Sequence, residues 1–102
     1  MADVMKVKEL VSYQEGSVVS RTLIKKSAGT VTLFAFAAGE GLSEHTAPFA
    51  ALAHIIEGEA EITVGEERRA VSMGEIIILP ANEPHALHAR RPFKMMLTMI
   101  RA

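Results

Sequence analysis

GEIIILPANEPHALHA, residues 74–89, compresses a glycine, an unbroken apolar run, two prolines and an alternating tail into one short stretch. Ile76–Leu79 is too short for a helix and rich in β-branched side chains, so it reads as a strand. Pro80 and Pro84 bracket a segment that cannot continue it, because proline has no N–H to donate to a ladder. His85–Ala89 then resumes with Leu87 between polar or small neighbours, which reads as a second strand. The pattern is strand, tight loop, strand.

Working outward, the same rhythm covers the chain. Expected strands are Val4–Val11, Ser17–Ile24, Thr30–Ala37, Ala51–Ile56, Ala60–Val64, Arg68–Val71, Ile76–Leu79, His85–Ala89 and Phe93–Ile100. Turn residues separate them at Glu15-Gly16, Ala28-Gly29, Gly39 to Gly41, Gly58, Gly65 to Glu67, Gly74, Pro80 to Pro84 and Pro92. Many short strands at regular spacing indicate an all-β sandwich or barrel. Val4–Val11 fits this least well, since its apolar residues follow neither strand nor helix periodicity, and a strand is the expectation.

The chain has 102 residues, room for one core and hence one domain over 1–102. It is 49% hydrophobic and 23% charged, as ordinary globular proteins are. Eleven Lys plus Arg against 12 Asp plus Glu offer no basic surface for nucleic acid or an anionic membrane. No apolar run approaches the roughly 20 residues of a membrane helix, and MADVMKVKELV lacks a signal-peptide core, so a cytoplasmic protein is expected. With no cysteine, disulfides, thiolate zinc sites and thiol nucleophiles are excluded.

Two spaced motifs sharpen the fold. In GEGLSEHTAPFAALAHIIEG, residues 39–58, Gly39 is followed after five residues by His45, and Gly58 closes the stretch. In residues 74–89, Gly74 is followed after five residues by Pro80, then by Asn82 and His85. These resemble the first and second signatures of the cupin superfamily, in that order, with a short linker over 59–73. The resemblance implies a jelly-roll barrel, the double-stranded β-helix built from two antiparallel sheets. Asn82 stands where the family has glycine, a mild departure because Asn tolerates left-handed backbone.

The ligand positions depart further. Metal-binding cupins draw three histidines and a carboxylate from these motifs. His45 and His85 match the first and last, but the second histidine position is Ala47, the glutamate position is Ala51, and the asparagine closing the second motif is Ala89. His54 lies three residues from Ala51 and His88 three from His85. Strand side chains alternate, so both should face away from the interior.

The implied site is therefore His45, Ala47, Phe49, Ala51 and His85. One reading is a divalent metal (Zn, Fe, Ni, Mn or Cu) on His45 and His85, its shell completed by water or substrate. The other is a metal-free pocket, widened by the alanines and walled by Phe49 with Phe34 or Phe36. Glu40, Glu44 and Glu57 read as solvated carboxylates, with Glu44 noted for its place beside His45. Arg90-Arg91 suits an anion or plain solvent. Met95, Met96 and Met99 suit core filling better than a thioether copper site. No Ser-His-Asp order or phosphate-binding glycine loop is present.

The family covers many activities, so the fold does not choose one. The leading expectation is a small-molecule-binding cupin with a reduced metal site. The alternatives are a metal-dependent enzyme (dioxygenase, isomerase or decarboxylase) whose substrate completes the coordination shell, and a dimeric regulatory or interaction module. Leu52–Ile56 and Ile76–Leu79 are apolar without alternation, which suggests cover on both faces and hence a homodimer.

Overall fold

The computed structural model describes residues 2–101. Nine strands follow a short 3-10 turn at Val7–Glu9: β1 Val18–Lys26, β2 Gly29–Phe36, β3 Gly41–His45, β4 Ala50–Glu57, β5 Glu59–Val64, β6 Glu67–Ser72, β7 Ile76–Leu79, β8 His85–His88 and β9 Phe93–Ile100. They form a five-stranded sheet in the order β1-β2-β9-β4-β7 and a four-stranded sheet in the order β3-β8-β5-β6. All pairings are antiparallel. This is the expected jelly roll. No helix among the described residues is long and apolar enough to cross a membrane.

The two sheets close on one core. Phe36, Ala53, Ile55, Ala60, Ile62, Phe93 and Met95 are buried there. Phe36 stacks on Phe93 with ring centroids 4.4 Å apart. Alternation is what delivers this: Ala51, Ala53 and Ile55 point inward from β4, while Leu52 and His54 point out.

Two turns need left-handed backbone where the motifs place them. Gly58, the single residue between β4 and β5, has φ 75°, and Asn82 has φ 65°. Asn82 is the only non-glycine among the described residues with positive φ, which is the role the substitution of glycine by asparagine allows.

One expected strand is corrected. Val4–Val11 is not a strand. It is extended chain and a 3-10 turn whose Val7, Leu10 and Val11 pack over Leu33, Ala35 and Ile56 on the outer face of the five-stranded sheet. Its uneven apolar spacing suits a strap laid across a sheet, touching at isolated points. The strap is pinned by Lys94, whose Nζ donates to Lys8 O at 2.6 Å, and by Tyr13, whose hydroxyl donates to Glu57 at 2.5 Å. Ile76–Leu79 shows where the second cover expected of a homodimer would have to come from. Within one chain β7 is an edge strand, and Ile76 and Ile78 are 56% and 52% exposed. Their outer face has no cover from the described residues.

Candidate functional site

The loops of residues 46–49 and 80–84 both cross between the sheets at the same end of the barrel. They are tied together there by the Asn82 N–H, which donates to Ala47 O at 2.7 Å. That end carries the last residue of β3, His45, and the first of β8, His85. The two are opposite each other in register, with ring centroids 4.3 Å apart and planes at 73°. The two motifs thus bring their histidines, forty residues apart along the chain, into edge-to-face contact.

The backbone fixes both rings. His45 Nδ1 lies 2.7 Å from Ser43 O and His85 Nδ1 lies 3.1 Å from Glu83 O. A carbonyl can only accept, so each Nδ1 must carry the proton. In the neutral rings Nε2 then holds the lone pair. Burial pushes the His85 imidazole below its ordinary 6.5; the hydrogen bond to Glu83 pulls the other way, and charge on His45 pushes it down further. His85 therefore stays neutral at pH 7, a hydrogen-bond acceptor rather than a cation.

The other expected residues are placed as follows. Ala47 is half-buried in the crossing loop, and Phe49 is half-buried four residues from His45. Ala51 is buried, opposite Leu79 on one side and Met99 on the other. Phe36 belongs to the deep core with Phe93 and does not wall the site, whereas Phe34 packs at the core's margin. His54 lies on the outer face, opposite Ile76 and Met96, and His88 lies on the outer face of the other sheet, opposite Gly41 and Glu61. Strand parity had placed both away from the interior. Glu44 is exposed, next to His45 in β3. Met95 sits in the core and Met96 in the outer cluster, so the three methionines of β9 do not converge on one point. Arg90 and Arg91 are exposed in the loop from β8 to β9, at the opposite end of the barrel from His45 and His85.

Sequence reading missed Arg101. It follows β9, whose Ile100 pairs with Ala50, and so reaches the histidine end; its guanidinium lies 5.7 Å from the Phe49 ring centroid. No motif marks it, because it lies outside both signatures.

The donor set does not fit a resident metal centre. Zinc sites take about three or four protein ligands. Among the described residues no group of three or more His, Cys, Asp or Glu side chains could hold a metal ion. The two positions that would complete the shell carry methyl groups, at Ala47 and Ala51.

Comparison with known proteins agrees with this architecture. The cupin domain family model matches residues 32–101. A conserved protein of unknown function from Streptococcus pyogenes is 32% identical, with a TM-score of 0.94 over 100% of this chain and 90% of that one. A cupin superfamily protein from Desulfitobacterium hafniense is 27% identical, with a TM-score of 0.92 over 98% and 92% of the two chains. A cupin 2 conserved barrel domain protein from Leptotrichia buccalis is 39% identical with a TM-score of 0.89, but the match spans 92% of this chain and only 46% of that longer one. No functionally curated protein matches. With the motif glycines, the two-sheet topology and a family match over most of its length, the chain belongs to the cupin family.

Proposed function

We propose that the protein binds a small organic molecule at the histidine end of the barrel, through the Nε2 atoms of His45 and His85, with no resident metal. The observation that carries this reading is the pair itself. Two imidazoles in contact, each held by its Nδ1 on backbone, offer two adjacent Nε2 atoms of fixed orientation. The ligand that suits them presents hydroxyl or amine protons to the imidazoles and an apolar body to Phe49, Ala47 and Ala51. A charged metal-ligand set is not needed, and catalysis is not part of the proposal. The cytoplasm is the proposed compartment, on the sequence reading alone.

The test is a panel of small hydroxylated and aminated compounds, followed through the methyl resonances of Met99 and the ring resonances of His45 and His85. A binding compound should lose about tenfold in affinity in His45→Ala, as one lost hydrogen bond of about 1.4 kcal/mol predicts. His85→Ala should weaken it similarly. Affinity unchanged in both variants would overturn the assignment.

A further inference from the structure

The strap is fastened at one more point, and the acceptor there is sulfur. Lys8 Nζ donates to Met73 Sδ at 3.5 Å. Lys8 is thereby held from two sides, since its carbonyl already accepts from Lys94 Nζ at 2.6 Å. Met73 stands in the turn between β6 and β7, and the backbone closes that turn firmly. The Met73 N–H donates to Gly58 O at 3.0 Å, the Gly74 N–H to Ile55 O at 2.8 Å and the Glu75 N–H to Ser72 O at 2.9 Å. The Ser72 N–H donates to Glu75 Oε1 at 2.7 Å. The turn thus fixes where the Met73 side chain starts, and the strap reaches over to it. β7 runs from this turn to the loop of residues 80–84, so the turn lies at the end of the barrel away from His45 and His85.

A thioether is a weak acceptor for an ammonium. Oxidation changes the chemistry of this one partner and leaves the rest of the contact in place. Met73 is 58% exposed, so a peroxide can reach its sulfur. A sulfur lone pair attacks one oxygen of hydrogen peroxide, and the S–O bond forms as the O–O bond breaks. Two electrons pass from sulfur to the departing oxygen, which leaves as water with both peroxide protons. The sulfoxide oxygen left on Met73 is a dipolar acceptor, and its hydrogen bond to the ammonium is charge-assisted. Lys8 and Met73 are both exposed, so a small retreat of the lysine accommodates the added atom. The other methionines differ. Met95 is buried and Met96 and Met99 are half-buried, where a sulfoxide would disrupt packing. Met5 is as open as Met73, but among the described residues only Met73 has a donor at its sulfur.

We propose that Met73 is a site of reversible oxidation by peroxide, whose sulfoxide oxygen accepts from Lys8 Nζ and fastens the strap to the β6–β7 turn. Methionine oxidation ordinarily loosens a protein, because it puts a polar group where packing expects an apolar one. This sulfur lies outside the core and faces a cation, so the sign is reversed. The strap closes more firmly over Leu33, Ala35 and Ile56. Reduction by methionine sulfoxide reductases, one for each sulfur epimer, releases it again. The site is remote from the histidine pair and stands whether or not a ligand binds there.

Trypsin separates the sulfurs for the test. Residues 70–90 carry Met73 alone, residues 1–6 carry Met1 and Met5, and residues 95–101 carry Met95, Met96 and Met99. After brief treatment with hydrogen peroxide, mass spectrometry should show the 70–90 peptide gaining one oxygen severalfold faster than the 95–101 peptide. Hydrogen exchange then reads the strap through the Glu9 and Leu10 amides, which donate to Lys6 O and Val7 O. Both should exchange about two- to fivefold more slowly in the oxidised protein, the scale of one exposed charged contact. Treatment with the two reductases should restore the original rate. Lys8→Ala and Met73→Leu should each abolish the difference between treated and untreated protein, with the circular dichroism of the sheets unchanged, whereas Met5→Leu should keep it. Met73 oxidised no faster than the β9 methionines would overturn the proposal, as would strap exchange that is unchanged or faster after oxidation. Slowing that survives in Lys8→Ala, or is lost in Met5→Leu, would overturn it equally, because the effect would then lie elsewhere.

Discussion

Two motif glycines both adopt positive φ, yet adding a methyl group to each should have different consequences. Gly58 has φ 75° and Gly74 has φ 87°. Left-handed backbone costs an alanine about 1–2 kcal/mol relative to glycine. Loss of unfolded-state freedom offsets about 0.4–1 kcal/mol of that. A methyl group on Gly74 meets nothing within 4 Å, so Gly74→Ala should lose only the balance, about 1 kcal/mol. A methyl group on Gly58 would lie 2.5 Å from Pro92 O and 3.1 Å from the Phe93 Cα and Cβ atoms. That obstacle is backbone, and the Phe93 ring behind it is stacked on Phe36, so no flexible side chain can yield. Overpacking of this kind adds about 1–3 kcal/mol, bringing Gly58→Ala to roughly 2–4 kcal/mol. With a urea slope of about 2 kcal/mol/M, the midpoint should fall by about 1–2 M for Gly58→Ala and about 0.5 M for Gly74→Ala. Urea unfolding followed by circular dichroism reads both. Equal midpoint losses would refute the claim that the β8–β9 loop is packed against Gly58.

Tyr13 is the sole tyrosine, in a chain without tryptophan, so its phenol can be titrated by ultraviolet absorbance alone. Burial, then the hydrogen bond to Glu57 and the charge of that carboxylate, push it well above its ordinary 10.0. Its ionisation should come late and coincide with loss of the fold, with stability declining as pH rises past 10 because the folded state holds that proton more tightly. Glu57→Gln should bring the midpoint back toward 10; a midpoint near 10 in the unmodified protein would contradict the contact. For His85 the sign is opposite. Its folded pKa is depressed, so its contribution to stability is complete above pH 6.5 and declines as pH falls below that value, where the unfolded chain takes up the proton first. Thermal melting between pH 7.5 and 4.5, compared with His85→Gln, should show a shallower acid decline in the variant. NMR titration of His85 at or above 6.5 would refute it.

The fold was legible in the sequence where side-chain chemistry and backbone geometry coincide. Gly58, Gly74 and Asn82 sit at left-handed turns that little else tolerates, and strand parity placed His54 and His88 on outer faces without any structure. β3 was not legible. Of its five residues only Leu42 packs on the core, and the polar Ser43, Glu44 and His45 give no apolar alternation to detect. The strap misled because Val7, Leu10 and Val11 answer to a sheet surface distant in sequence rather than to a local period. At the site, the motifs identified His45 and His85 but not their contact or their shared tautomer, which depend on the β3–β8 register and on the carbonyls of Ser43 and Glu83. Likewise Ala51 is buried in the core between Leu79 and Met99, its register partners on either side, and this no composition argument reveals.

The central claim is that His45 and His85 serve as hydrogen-bonding imidazoles in a site whose other ligand positions are alanine. Elemental analysis tests it most directly, on untagged protein reloaded in turn with Mn, Fe, Ni, Cu and Zn and then dialysed against a weak chelator. The account predicts metal well below one equivalent in every case, with no difference between the unmodified protein and His45→Ala. Near-stoichiometric metal that is retained through dialysis and lost in His45→Ala would contradict it, and would put a metal-dependent enzyme in its place.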